Sequence, residues 1–298
     1  MARTKRLIVY LPVMIVSLVT LGLGIRVIPG TLLLEDIPIG KTYSLEEERG
    51  IVITVFNDSD VGYRYILRPE RPSESGTRAT GYFDFANPNW CWLDKETLEV
   101  LPYNEEKVRL YLRIPDSSYY YNRHWLLAVS VTPFEMLGDN ASGTSIALGA
   151  YLLYRIETTP KENVSVRKNE NEIITIPSVV EFNDVSPGLT YKKSVTISSG
   201  LGNRIKINRL DPSSEVAKLT ILLAPNYFRL NNPEWISYDT LVTLKNGAGN
   251  ITLSLTIPKD KPIQTPLEEI LMLASTDSDR KGFVRIRINP HQKGGEEK

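Results

Sequence analysis

The feature that most constrains this chain is that much of it is written twice. From Trp92 to Pro115 the sequence matches Trp235 to Pro258 at a constant offset of 143 residues, without a gap. Trp92-Leu93 lies over Trp235-Ile236, Leu101 over Leu244 and Val108 over Ile251. Leu110-x-Leu112-x-Ile114-Pro115 then lies over Leu253-x-Leu255-x-Ile257-Pro258. Further upstream, Gly40-Lys41-Thr42-Tyr43 resembles Gly188-Leu189-Thr190-Tyr191. Agreement in both apolar register and bounding prolines makes each half one structural unit, repeated in tandem.

The repeated segments carry a period of two. Val108–Ile114, Leu253–Ile257 and Val284–Ile288 alternate aliphatic with polar residues, which places every second side chain on one face of a strand. Turn residues such as Asn57-Asp58, Pro187-Gly188 and Asn246-Gly247 separate the runs. The expected fold is all-β: two tandem β-sandwiches behind one N-terminal hydrophobic helix. The expected layout is an N-terminal segment over residues 1–28, a first sandwich over 29–156 and a linker over 157–162. A second sandwich over 163–290 and a polar tail over 291–298 complete it. Trp92 and Trp235 are expected as core plugs between the sheets. Arg285 and Arg287 are expected on the solvated side of a terminal strand.

The N-terminus sets the expected compartment. Arg3, Lys5 and Arg6 precede an uncharged apolar run from Leu7 to Ile25. Such a run suits either a spanning helix or a signal peptide cleaved near Gly24. Two locations follow as expectations. Either the chain is held in the cytoplasmic membrane through residues 7–25 with both domains outside, or it is secreted after cleavage.

Composition narrows the chemistry. Thirty-five basic residues balance 35 acidic ones, so no basic face is expected for nucleic acid. One cysteine, Cys91, and two histidines, His124 and His291, exclude a structural disulfide and most histidine-based sites. Cys91 stands between Trp90 and Trp92, an apolar setting that raises a thiol pKa. No catalytic set, metal-ligand set or cofactor motif is expected. The aromatic cluster Tyr119, Tyr120, Tyr121 and Trp125 is the candidate binding surface, with a glycan or a protein as its partner.

These motifs resemble the immunoglobulin-like domains found in tandem on prokaryotic exported and surface proteins. The resemblance runs over roughly residues 30–290 and implies protein–protein contact with other envelope or surface-appendage proteins. The first domain also resembles the N-terminal domain of periplasmic pilus-assembly chaperones, through Leu101–Leu110, Asn122–Leu126 and the strand Ser145–Ile156. That resemblance implies a strand donated to client subunits, with Ile146, Leu148, Ala150, Leu152 and Tyr154 on the inserting face. Three functional expectations result: a non-catalytic envelope scaffold, an assembly chaperone, or a glycan-binding module.

Overall fold

Alternating aliphatic and polar residues form strands throughout the computed structural model, which describes residues 24–137, 149–164, 171–210 and 221–291. The chain is nearly all β, and its sheets fall into a two-unit arrangement. In unit one the long sheet holds β2 (Thr31–Ile37), β5 (Gly62–Glu70), β8 (Thr97–Val100), β11 (His124–Leu137) and β12 (Ala150–Thr158). Their order is β2-β12-β11-β5-β8, with β6 (Phe83–Asp84) beside β11. The facing layer comes in two pieces. One is β1 (Ile25–Ile28), β4 (Ile53–Asn57) and β9 (Glu105–Val108); the other is β3 (Tyr43–Ser44), β10 (Leu110–Leu112) and β7 (Cys91–Leu93).

Unit two repeats this plan. Its long sheet has the order β14-β22-β21-β16-β19, from β14 (Val179–Val185), β16 (Arg204–Arg209), β19 (Leu241–Thr243), β21 (Leu267–Ser275) and β22 (Lys281–Pro290). β17 (Phe228–Arg229) lies beside β21, as β6 does beside β11. The facing sheet is β13 (Ile174–Ile176), β15 (Thr190–Ser198), β20 (Ala248–Thr256) and β18 (Ile236–Ser237). The repeat is exact enough to be followed by register. Tyr43 opposes Leu112 as Tyr191 opposes Leu255. Gly40 and Gly188 both take positive φ, 76° and 84°, and donate their N–H groups to Ile114 and Ile257. One difference explains the split layer of unit one. A short helix, α1 (Leu45–Arg49), capped by Ser44 and Gly50, interrupts the path that β15 follows unbroken.

The same register corrects the tryptophan assignment. Leu112 opposes Cys91 and Leu255 opposes Ile236, so Trp90, not Trp92, is the counterpart of Trp235. Each of these two tryptophans ends a short 3₁₀ turn that opens Asn-Pro. The turn after Trp90 is two residues longer than the turn after Trp235, and the ungapped match hid that difference. Trp235 is buried as expected. Trp92 is 38% exposed and stacks on Tyr111 on the outer surface, with ring centroids 5.6 Å apart. In unit one the plugging is done by Phe85, Trp90 and Trp125, which pack edge to face.

Residues 25–28, expected as the end of the N-terminal segment that carries the apolar run, are strand β1 paired with β4. The rest of that run, Leu7–Leu23, lies outside the described residues. Among the described residues no helix is long and apolar enough to cross a membrane.

Candidate functional site

Strand period places the site. In β22, Val284, Ile286 and Ile288 point into the core of unit two, so Phe283, Arg285 and Arg287 point out of its other face. β22 is not an edge strand: β14 and β21 flank it. Its outer face is covered by the outer face of the long sheet of unit one. Leu126, Tyr82 and Ala79 of unit one pack there against Leu210, Ile221, Ile270, Met272 and Phe283 of unit two. The expectation of a solvated Arg285 is therefore overturned: its side chain is 0% exposed.

A buried guanidinium is tolerable only if its donors find acceptors. Arg285 donates from Nε and Nη2 to Glu157 Oε2 and Oε1, at 2.6 and 2.5 Å, as a bidentate pair across the two units. Its Nη1 donates to Glu268 Oε2 and to the Leu222 carbonyl, both at 2.9 Å. Tyr82 donates its hydroxyl to Glu157 Oε1 at 2.6 Å. Arg287 donates to Glu268 Oε1 at 3.1 Å and also to Glu35 across the seam. Burial alone would raise the Glu157 pKa, but the Arg285 charge and hydrogen bonds outweigh it and hold the carboxyl down at about 2. Glu35 is shifted the other way: burial raises it against the pull of Arg285 and Arg287.

Beside this cluster, the imidazole of His124 lies flat on Phe283, with centroids 3.8 Å apart and planes 4° from parallel. Burial pushes its pKa down to about 4, partly opposed by Glu157. Its Nε2 is buried without a hydrogen-bond partner. Burial likewise pushes the Tyr82 hydroxyl well up. These groups are neutralised or paired among themselves, and the arrangement works as a lock between units.

A second joint sits beside the connection between the units. Asn122, at φ 61°, accepts from the N–H groups of Lys161 and Ser178 through Oδ1, each at 2.9 Å. Its Nδ2 donates to the Lys161 carbonyl at 2.7 Å. Glu172 accepts from Arg123 at 3.1 Å and from the Trp125 indole at 3.0 Å. Residue 157, expected to open a linker, is instead within β12 and at the centre of the lock.

Of the aromatic candidates, Trp125 is buried and the three tyrosines are half-buried. Trp125 is 1% exposed, so it offers no binding face. Tyr119 and Tyr120 form a 3₁₀ turn; Tyr120 and Tyr121 pack against the core, and Arg123 covers the ring of Tyr119 at 4.0 Å. Consecutive tyrosines on a tight turn can wrap around a sheet end, which is what these do. For strand donation, Ile146 and Leu148 lie outside the described residues. Leu152 and Tyr154 are buried in the core of unit one, with Ala150 packed beside them. From Leu153 onward β12 is hydrogen-bonded on both sides, by β2 and β11, so this stretch has no free edge to donate. Cys91 is buried and its thiol pKa is pushed up by burial, as expected. Among the described residues no group of three or more His, Cys, Asp or Glu side chains could hold a metal ion.

Glu157, Glu268 and Tyr82 were not among the residues expected from the sequence. A signal exists for Glu268 alone. Glu268-Glu269 interrupts the apolar run Leu267–Leu273, and Glu268 stands opposite Arg287 in the ladder.

No family model matches the chain, and no curated protein matches it. Among solved structures it is similar to the class 5 fimbriae chaperone CfaA, at 12% identity and a TM-score of 0.33, over 88% of this chain and 99% of that one. It is similar to a protein of unknown function from Porphyromonas gingivalis W83, at 8% identity and a TM-score of 0.31, over 89% and 99%. An endo-fucoidan hydrolase of glycoside hydrolase family 107 gives 12% identity and a TM-score of 0.26; 88% of this chain spans 29% of that one. At these scores none of the three carries a functional argument.

Proposed function

We propose that this chain is a non-catalytic scaffold of the cell envelope, exported through its N-terminal apolar run, in which two immunoglobulin-like units act as one rigid protein-binding body. The observation that carries this reading is the Glu157–Arg285–Glu268 lock. A buried, bidentate charge pair set in an apolar seam resists flexing between units, because any opening must strand a charge. A rigid body with two sandwich units presents fixed sheet edges and loop ends to partners. The buried state of His124, Cys91, Tyr82 and Glu157 favours structure over turnover. Strand β1 begins at Ile25, directly behind the apolar run, so a membrane-held chain would carry unit one close to the bilayer.

Fractionation of the native host, with intact mass and bifunctional cross-linking of the recovered protein, tests the reading. The expected result is recovery from the membrane or from outside it, with discrete cross-links to other envelope proteins. Recovery of the full-length chain from the cytosol overturns export. Recovery outside the cytoplasm with no cross-linked partner overturns the scaffold role.

A further inference from the structure

A cleft of about 200 Å³ opens where the two units meet. One wall is the 73–84 segment of unit one. The other is Asp279, Arg280 and Lys281, at the turn between β21 and β22. The seam residues Tyr82 and Leu126 also line it.

The walls are preformed. Gly81, at φ 89°, passes so near unit two that a Cβ there would stand 2.7 Å from Phe283 Cδ1 and 3.1 Å from Ile221 Cδ1. Tyr82 N–H donates to the Ala79 carbonyl at 3.1 Å, and Ser73 N–H donates to Asp84 Oδ1 at 3.2 Å. The 73–84 segment is thus fastened both to itself and to its neighbour.

Three cations converge on this space: Arg78, Arg280 and Lys281. None of them makes an ion pair among the described residues. The guanidinium of Arg280 lies over the Phe83 ring, 5.4 Å from its centroid, which fixes the side chain without neutralising it. Two carboxylates, Asp84 and Asp279, line the same cleft. Cations alone would suit any anion. Carboxylates beside them repel a bare anion but accept hydrogen bonds from hydroxyl groups. A ligand that satisfies both sets carries one negative charge and several hydroxyls. The cleft is smaller than the roughly 300–1,000 Å³ of drug-sized sites, which limits the occupant to about one sugar ring.

The geometry points to a binding site for a single carboxylated sugar ring, held across the seam between the two units. Titrating the full chain with glucuronate, glucose and acetate, each to roughly 20 mM, tests it by ligand-observed NMR. Glucuronate is expected to bind at least about tenfold more tightly than glucose, which lacks the charge, or acetate, which lacks the hydroxyls. Arg280→Ala and Lys281→Ala should each weaken glucuronate about tenfold. Asp279→Asn removes the repulsion of a bare anion and the charged acceptor for hydroxyls, so it should tighten acetate while narrowing the preference for glucuronate over acetate. Two cationic positions keep the test open should one substitution disturb the turn. Because the site spans both units, glucuronate should also slow amide exchange in residues 77–84 and 279–281 together. The proposal is overturned by no binding of glucuronate, by equal binding of all three probes, or by cationic variants that bind like the wild type. Protection on one wall alone overturns the placement across the seam.

Discussion

Arg285 illustrates how one side chain can be indispensable without being strongly stabilising. Its pair with Glu157 offsets a desolvation cost of several kcal/mol per ion, so the net gain over an apolar packing is small. Arg285→Met strands the Glu157 charge in the seam and leaves Glu268 to Arg287 alone, and is expected to cost roughly 3–5 kcal/mol in urea unfolding. Adding Glu157→Leu removes the stranded charge and should recover part of that loss. A double variant no more stable than the single would refute the pairing. His124 adds a pH term of definite sign. Its pKa falls from 6.5 when unfolded to about 4 when folded, so the unfolded chain binds more protons between those values. Stability is therefore whole above about pH 6.5 and declines as pH falls toward 4, by about 3 kcal/mol in all. Glu157, lowered from 4.5 to about 2, adds a further loss only below about pH 4.5. His124→Phe keeps the stack on Phe283 and should abolish the loss between pH 6.5 and 4.5. An unchanged pH profile for that variant would rule out His124 as its source.

At the scale of elements, the two-residue slip at the tryptophans gives a direct contrast. Trp90→Ala removes a ring packed against Phe85, Tyr120 and Trp125, and should cost roughly 3–5 kcal/mol. Trp92→Ala removes an exposed ring stacked only on Tyr111 and should cost about 1 kcal/mol or less. Equal costs in denaturant unfolding would mean that the register is wrong. The strands themselves were legible because period two survives in sequence, and the repeat was legible because its apolar positions and prolines coincide. The slip was not, since a shift of two keeps every side chain on its face and therefore preserves the apolar pattern. The seam was illegible for a related reason. Arg285 and Arg287 alternate with aliphatics in the way a solvated strand does, and only the covering sheet reveals that their face is closed. The burial of Trp125 and the partial covering of Tyr119, Tyr120 and Tyr121 were illegible because a run of tyrosines says nothing about which way a 3₁₀ turn will wrap it.

For the whole molecule, the seam makes unfolding a joint event. The wild type should unfold in one cooperative transition despite having two units. Leu126→Lys together with Ile270→Ser places a charge and a cavity in the apolar part of the seam, and should split unfolding into two steps by calorimetry. A single transition in that variant would mean that the units are coupled elsewhere. The repeat gives this contact a further meaning. Leu153 and Arg285 hold equivalent places in their units, as do Arg155 and Arg287, and Leu126 and Glu268. The chain therefore joins two copies of one face to each other, as an isologous dimer does, with the partner covalently supplied. Such a contact closes on itself. A third copy of the unit would find no such face left to dock on, so association through this face stops at two.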